Sequence, residues 1–339
     1  MRTLNTQPNP ALAPLARLLL RSESIASSRI EGLQTGLRDL ARAEARLETG
    51  GKAGPVATEV LANIDAMELA VLKTADAAQV TTASINAIHK RLMHRALNAA
   101  RIAGKVRTTQ NWIGGNDFNP CGADFVPPPP EDVAHLMKDL CDAANDDLLP
   151  PLVQAALIHA QFETIHPYAD GNGRTGRALI HVVLKRRGVA AAYVPPVSVV
   201  LAASRTSYIA GLTSFRGNDV NLWIERFAAA MHRAATLASD YLVRVADLTE
   251  QWRAALSGNV AAPRADATAW RIIDALPAHP IISAPVAAVA TRRSRPQVYE
   301  ALGQLENAGV LIPLTAGRRN RAWEADGLLD LLEALDAGE

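Results

Sequence analysis

Cysteines, aromatic residues and net charge are all scarce in this sequence. Only two of its 339 residues are cysteines, Cys121 and Cys141, and they form neither a CxxC pair nor a zinc quartet, which is typical of proteins from a reducing compartment. Aromatic residues make up 4% of the chain, and this favours packed helices over a β-sandwich. The 35 basic and 34 acidic side chains give a net charge of +1, which excludes a globally basic nucleic-acid-binding protein but not a local basic patch.

Long apolar segments are also missing. No run approaches the roughly 20 residues that a membrane span needs. The first ten residues, MRTLNTQPNP, lack the apolar stretch of a signal peptide. We therefore expect a cytoplasmic protein that does not bind a membrane. Because 49% of the residues are hydrophobic and 20% are charged, the composition argues against disorder, and the length allows two or three domains.

Helical periodicity dominates most of the chain. Apolar residues recur at helical spacing at Val60, Ile64, Met67 and Val71. Thr81 and Thr82 precede another such stripe, and both are suitable helix N-caps. Similar stripes occur over residues 85–93, 133–141, 152–165 and 227–242. The sequence therefore predicts a mainly α-helical protein.

One segment departs from the helical pattern. Residues 106–130 (VRTTQNWIGGNDFNPCGADFVPPPP) contain two short β-type runs, the pair Gly114-Gly115 and a final run of four prolines. These features predict a β-hairpin or an ordered loop inserted between helices.

The pattern changes again after residues 258–267 (GNVAAPRADA), which have the composition of a linker. Three short helices are predicted after it, over residues 270–276, 286–291 and 297–308. Two strands follow, VLIPL and RRNRAWE, joined by a turn at residues 315–317. Three helices followed by a two-stranded wing are typical of a winged helix-turn-helix domain.

Arginines lie at two places in this C-terminal segment. Three precede the third helix, and three lie on the predicted wing, which fits phosphate contacts on DNA. A winged helix can equally serve for protein docking or dimerisation, so both interpretations stay open. The arginines are Arg292, Arg293, Arg295, Arg318, Arg319 and Arg321.

The most informative string is HPYADGNGRTGR, which runs from His166 to Arg177. Gly171-Asn172-Gly173 predicts a glycine-rich turn between two helices. Backbone N–H groups in such a turn and the start of the following helix attract an anion. Arg174 and Arg177 are three residues apart and share one helix face, where their guanidinium groups suit a polyphosphate.

Two further side chains of this string add the chemistry. Asp170 can ligate a Mg²⁺ ion that bridges phosphate oxygens, and His166 can abstract a proton. A base, a metal ligand and an anion-binding turn within twelve residues predict phosphoryl or nucleotidyl transfer.

This string resembles the signature of the Fic family, HPFx(D/E)GNGRxxR, with Tyr168 in place of the usual phenylalanine. The resemblance covers approximately residues 20–240. It implies a protein adenylyltransferase, which transfers AMP from ATP to a Ser, Thr or Tyr hydroxyl of a target protein. It also implies a Fic helical core with a β-hairpin flap.

The resemblance implies a role for each residue of the string. His166 would deprotonate the target hydroxyl, and Asp170 would hold Mg²⁺ between the α- and β-phosphates. Tyr208, farther along the chain, either lines the adenine site or is a core tyrosine. The other ATP-binding residues would be Gly171, Asn172 and Gly173 around the phosphates and Arg174 and Arg177 at the β/γ end.

The segment 106–130 is similar to the Fic flap, which binds an extended target segment by β-augmentation. We expect the target to add along the edge from Gln110 to Gly115, with the N–H of Ile113 as one donor. The flap residues assigned to docking are Gln110, Asn111, Trp112, Ile113, Gly114 and Gly115.

A second segment, SSRIEG, is similar to the inhibitory motif of the family, (S/T)xxxE(G/N), at Ser27, Glu31 and Gly32. The resemblance implies an inhibitory helix over about residues 22–32. In it, Glu31 would reach Arg177 and keep the γ-phosphate of ATP from binding.

Three domains and more than one function follow from these patterns. We expect an N-terminal helical region (1–80), a Fic catalytic core (81–257) and a winged helix-turn-helix domain (258–339). The main hypothesis is an autoinhibited adenylyltransferase that uses ATP and Mg²⁺ on an unidentified target protein. The alternatives are a DNA-binding transcriptional regulator whose Fic core is vestigial or senses a ligand, and removal of AMP at the same site. The winged helix could also bind DNA or a protein, and the chain could form a homodimer.

Overall fold

The structure is a computed structural model that describes residues 13–48, 50–116, 118–258, 263–314 and 321–338, with only the backbone described at 13–15, 45 and 48. Helices make up most of the described residues before 259, in agreement with the predicted mainly α fold. They are α1 (Ala13–Ile30), α2 (Leu37–Glu48), α3 (Pro55–Leu69), α4 (Thr82–Met93), α5 (Ala99–Ile102), α6 (Pro130–Asn145), α7 (Pro151–Ile165), α8 (Asn172–Arg186), α9 (Val197–Ala203), α10 (Arg205–Arg216) and α11 (Val220–Ser257). A π-helical turn, Ala70–Thr74, extends α3.

The helix starts follow from local sequence. Thr81 is the N-cap of α4: its side chain accepts the N–H of Ser84, and the Ser84 hydroxyl accepts the N–H of Thr81, a reciprocal capping box. Of the two predicted N-caps, Thr81 is therefore the cap, and Thr82 is the first residue of the helix. Prolines Pro55, Pro130 and Pro151 open α3, α6 and α7, because the first turn of a helix needs no N–H from them.

Helix α1 is part of the core. It packs against α3, α8 and α9, and Leu19 and Ala26 are fully buried. Polar residues of α1 are buried as well: Asn63 of α3 donates to the Ser24 carbonyl at 2.8 Å and to the Ser28 hydroxyl at 3.0 Å. These bonds hold the second half of α1 against α3, and α1 also packs against α8, the neighbour of α7.

The predicted flap is an ordered segment with little β-structure. Its described residues contain one antiparallel bridge, between Ile113 and Phe125. Gly114, Gly115 and Gly122 all have positive φ angles, and such backbone turns prevent the ladder from extending.

After residue 262 a smaller module follows. It contains α12 (Thr268–Ala275), a 3₁₀ turn (Leu276–Ala278), β1 (Ile281–Ser283), α13 (Ala284–Thr291), α14 (Arg295–Asn307), β2 (Leu311–Pro313), β3 (Ala322–Ala325) and α15 (Leu328–Ala337). The strands form an antiparallel sheet in the order β1-β3-β2. The sequence predicted two strands, and it missed β1 and α15. The winged helix-turn-helix assignment stays a prediction.

The wing is only partly described. The predicted turn 315–317, Arg318 and Arg319 lie outside the described residues. Arg321 is engaged within the module, where its guanidinium contacts the Glu306 carboxylate at 3.0 Å and lies 4.8 Å from the centre of the Trp323 ring. It is therefore less available for a phosphate than the sequence suggested.

The C-terminal module is joined to the first helices by ion pairs. Arg38 of α2 contacts the carboxylates of Glu324, Asp330 and Glu333 at 3.2, 2.6 and 2.8 Å. Helix α15 packs against α1, α2 and α11. The predicted boundary near residue 258 therefore separates two parts of the chain that are in contact. Among the described helices, none combines the length and the apolar composition that a membrane crossing requires.

Candidate functional site

His166 lies at the end of α7, in a left-handed backbone conformation with φ 49° and ψ 59°. This conformation is uncommon for residues other than glycine, and it turns the chain sharply away from the helix. Burial lowers the pKa of His166 to about 4. The imidazole is therefore neutral near pH 7, which is the state that a proton acceptor needs.

Arg107 holds this turn from behind. Its Nε donates to the His166 carbonyl at 2.9 Å, and its Nη2 donates to the Ile165 carbonyl at 3.4 Å. The same buried guanidinium donates to the carbonyls of Thr109 and Pro128 at the two ends of the flap. No sequence spacing indicates a role for Arg107, because its partners are up to 59 residues away in the chain.

We expect Arg107→Met to lower the free energy of unfolding by about 1–3 kcal/mol, because buried carbonyls lose their donor. Chemical denaturation measures this change. The matched control is Lys105→Met, since the Lys105 side chain is exposed and donates to the nearby Ala100 carbonyl. Equal midpoints for the two variants would show that the bonds of Arg107 contribute nothing to stability.

A second clamp holds the loop after His166. The rings of His89 and Tyr168 stack at 3.7 Å. The N–H of Gly104 donates to Nδ1 of His89 at 3.0 Å, so Nε2 carries the proton and donates to the Asp170 carbonyl at 2.9 Å. The hydroxyl of Tyr168 donates to Asn86 at 2.7 Å, a bond that a phenylalanine could not make. Like Arg107, His89 was missed by the sequence analysis.

The predicted anion-binding turn is the start of α8. Gly171 is the N-cap, with φ 76°, and Asn172 and Gly173 already belong to the helix rather than to a free turn. The side chain of Asn172 is buried and exchanges two hydrogen bonds with the backbone of Tyr168, at 2.9 and 2.8 Å. Asn172 can therefore offer an anion its backbone N–H but not its amide. The first N–H groups of a helix have no partner within it, so this end favours a negative group.

Asp170 lies next to this helix end, and its side chain is 62% exposed. One of its oxygens accepts the Gly171 N–H at 2.6 Å and lies 3.8 Å from Arg174. The described residues contain no cluster of three or more His, Cys, Asp or Glu side chains suited to a metal ion. A single exposed carboxylate fits Mg²⁺, which commonly takes one or two protein oxygens together with substrate phosphates and water.

The two arginines of the motif face different partners. Arg174 lies 3.7 Å from Glu59 of α3. Arg177 is 1% exposed and donates to the Ser27 hydroxyl at 2.9 Å, to the Ser27 carbonyl at 2.8 Å and to the Glu31 carboxylate at 2.7 Å. The contact between Glu31 and Arg177 that the resemblance implied is therefore present, and Ser27 adds two bonds to it.

Glu31 lies directly over the start of α8. A β-carbon at Gly173 would collide with the Glu31 carboxylate, so the absence of a side chain there leaves room for it. Burial by itself would raise the pKa of Glu31, but Arg177 and, more weakly, Arg174 bring it below its ordinary value. The carboxylate is therefore ionised near pH 7. Gly32 follows it with φ 82°, two residues after the end of α1 at Ile30.

Tyr208 of α10 is buried, and its hydroxyl lies 2.9 Å from Nε2 of His159. Its ring, with Trp223 and Phe227, also lines an apolar cavity of about 270 Å³. The structure thus gives Tyr208 a core contact and an open face, and both interpretations from the sequence remain.

The flap differs from the expectation at one point. The N–H of Ile113 donates to Phe125 at 2.9 Å within the flap, so it is not a free donor for a target. Because neighbouring residues of a bridge point the opposite way, the outer edge belongs to Trp112 and Gly114. The side chain of Asn111 donates to the Tyr168 carbonyl at 3.0 Å, and this bond joins the flap to the loop that follows His166.

The other flap residues also form contacts within the protein. Gln110 donates to the Pro127 carbonyl at 2.9 Å, and the Trp112 indole donates to the Asn116 carbonyl at 2.6 Å. Both side chains are thus engaged within the flap, and docking of a target along it stays a prediction.

Comparisons with known proteins match two parts of this chain to one family. Residues 79–184 match the Fic/DOC family, and residues 2–72 match its N-terminal region. The curated protein adenylyltransferase fic-1 of Caenorhabditis elegans is 36% identical over 126 residues, which are 35% of this chain and 22% of that protein. The protein adenylyltransferase Fic of Drosophila willistoni is 29% identical over 211 residues, 61% of this chain and 38% of that protein. The chain thus spans well under half the length of these two relatives.

Solved structures agree in fold. A Fic family protein from Desulfovibrio desulfuricans G20 is 24% identical, with a TM-score of 0.55 over 92% of this chain and 87% of that one. Fic-1 from C. elegans, residues 134–508, is 25% identical, with a TM-score of 0.53 over 69% of this chain and 68% of that one.

Proposed function

This chain belongs to the Fic/DOC family, and we propose that it is a protein adenylyltransferase that its own first helix inhibits. One observation carries the proposal. A single clamped loop joins a neutral imidazole, at His166, to the N-terminus of a helix that carries two buried arginines. Transfer of a phosphate-containing group to a hydroxyl requires a neutral base for the proton and an anion-binding site for the phosphates.

In the proposed reaction, Nε2 of His166 takes the proton of a Ser, Thr or Tyr hydroxyl of the target. The hydroxyl oxygen forms a bond to the α-phosphorus of ATP, the bond from that phosphorus to the β-phosphate oxygen breaks, and pyrophosphate leaves. The N–H groups at the start of α8 and the side chains of Arg174 and Arg177 bind the phosphates. Asp170 would hold Mg²⁺, which when bound neutralises part of the phosphate charge.

The inhibition is proposed to act through Arg177. The γ-phosphate needs a guanidinium group, and Glu31 and Ser27 already occupy that of Arg177. ATP can still enter with its terminal phosphate displaced. The α-phosphate is then out of line with the incoming hydroxyl, and a displacement of about 1 Å can lower the rate about 10²-fold.

The experiment is to incubate the protein with a lysate and ATP labelled on the α-phosphate. We expect Mg²⁺-dependent labelling of protein, stronger with Glu31→Gly and absent with His166→Ala. ATP labelled on the γ-phosphate should transfer nothing, which separates the reaction from that of a kinase. Absence of labelling in every sample, together with a shift of duplex DNA, would favour the transcriptional regulator. Release of AMP from labelled protein once ATP is removed would indicate the reverse activity.

A further inference from the structure

Three ionisable side chains lie along one face of α7 and its C-terminal cap. His159, Glu163 and His166 are spaced by four and three residues, which places them one above another. His159 and Glu163 are buried, and the His166 side chain is 18% exposed. Only His166 has a role in the reaction proposed above.

Oε1 of Glu163 is buried without a hydrogen-bond partner among the described residues. A buried carboxylate oxygen without a hydrogen-bond partner is rare in folded proteins. The rings of His159 and His166 have the backbone carbonyls of Gly176 and Glu163 as their near acceptors. The second carboxylate oxygen of Glu163 lies 4.0 Å from Nδ1 of His166, slightly beyond hydrogen-bond distance.

The space around the Glu163 carboxylate depends on Gly176 of α8. A β-carbon at this position would lie 2.6 Å from Oε1 of Glu163 and 3.2 Å from Nδ1 of His159. Since real β-carbons do not approach other atoms so closely, only glycine leaves room for the carboxylate. The chain thus keeps a buried acid directly behind its proposed base.

We propose that Glu163 is the positioning residue of His166. Its carboxylate closes the 4.0 Å gap and accepts the Nδ1–H, so that Nε2 bears the lone pair. When the target hydroxyl transfers its proton, the O–H bond breaks and an Nε2–H bond forms, while the Nδ1 proton stays in place. Glu163 then stabilises the imidazolium. The inference rests on the proposed function and adds to it the group that orients the base.

The charges around Glu163 connect it to the inhibitory contact. Burial raises the pKa of Glu163 to about 7; Arg177 lowers it, Glu31 raises it and Arg216 lowers it. His166, Tyr208 and His159 are the other ionisable groups that lie near it. When Glu31 leaves the site, one negative neighbour is lost, so the pKa of Glu163 falls and its ionised form gains population. Release of α1 thus frees Arg177 and also favours the carboxylate that orients His166.

The first test measures the tautomer of His166 and needs no activity. In the full chain with ¹⁵N-labelled histidine at pH 8, the His166 signals are identified by their loss in His166→Gln. We expect the proton on Nδ1 in the wild type and in Glu163→Gln, whose amide oxygen still accepts it. In Glu163→Ala we expect a mixture of tautomers. A proton on Nε2 in the wild type, or an unchanged spectrum in Glu163→Ala, would overturn the proposal.

The second test measures kinetics in the Glu31→Gly background. We expect Glu163→Ala to lower kcat about 10²-fold with little change in the KM for ATP, since a misplaced base affects the chemical step. Thr164→Ala is the matched control in the same helical turn, because the Thr164 hydroxyl bonds to the Ala160 carbonyl of its own helix. Equal losses of kcat in the two variants would refute a specific role for Glu163.

The pH profile separates orientation from a merely structural role. An ionised Glu163 assists His166 only above its pKa, so kcat of Glu31→Gly should rise with pH, through a pKa below the value of about 7 that Glu163 has beside Glu31. Glu163→Gln has no such titration and should lack this limb. If no variant transfers AMP, the proposed function fails, whereas the tautomer of His166 still decides the role of Glu163.

Discussion

His166→Ala should lower the rate of AMP transfer by about 10²–10⁴-fold, the usual contribution of a general base. The attacking hydroxyl has a pKa of about 10 for tyrosine and higher for serine or threonine. Transfer near pH 7 therefore needs a group that takes the proton during attack. Because burial lowers the pKa of His166 to about 4, the side chain stays a proton acceptor throughout the physiological range.

The measurement is transfer of α-labelled AMP at saturating ATP, with ATP affinity determined separately by calorimetry. Alanine in place of His166 keeps the same left-handed backbone strain, so the loop should be preserved and ATP should bind normally. The control is His94→Ala, an exposed histidine that bonds to the Arg91 carbonyl. Turnover of His166→Ala within threefold of wild type would remove His166 from the mechanism.

Glu31→Gly should raise AMP transfer by about 10²-fold, including modification of the protein itself. Arg177 then loses its carboxylate partner, retains the neutral Ser27 contacts and can bind the γ-phosphate. Arg177→Ala should lower activity. The double variant should behave as Arg177→Ala, since loss of the inhibitor is useless without the phosphate ligand. This order of effects follows from the 2.7 Å contact between Glu31 and Arg177.

Autoadenylylation of the three variants with labelled ATP measures this prediction. Glu59→Gln is the matched control, because Glu59 lies 3.7 Å from the neighbouring Arg174 but does not cover the start of α8. It should leave the rate close to that of wild type. Absence of a gain in Glu31→Gly would refute autoinhibition and leave the transferase proposal standing.

Local sequence signals predicted local structure well. The capping residue Thr81 lies where the sequence predicted the start of a helix, since a capping side chain acts within one turn. The strand β1 was missed because its three residues, Ile281–Ser283, are too short to give a periodic pattern and lie between two prolines. Its register is set by pairing with β3, about forty residues farther along the chain.

The motif from His166 to Arg177 was predictable because most of its residues act close to one another in the chain. The groups that hold it were not. Arg107 and His89 reach it across 59 and 81 residues, and no sequence spacing indicates such contacts. The direction of the Ile113 N–H likewise depends on which residue of the flap pairs with Phe125.

The contact between Glu31 and Arg177 lies within a single chain. In the proposed inhibition, Glu31 competes with the γ-phosphate for Arg177 and cannot be diluted away from it. Its effective concentration depends on the geometry of the fold and not on how much protein is present. If the released helix is one conformer in about a hundred, the apparent affinity for correctly placed ATP falls about a hundredfold. Below saturation, the rate of AMP transfer would then rise in proportion to the ATP concentration, without a threshold. Changing the expression level would scale total activity but would leave the activity of each molecule unchanged.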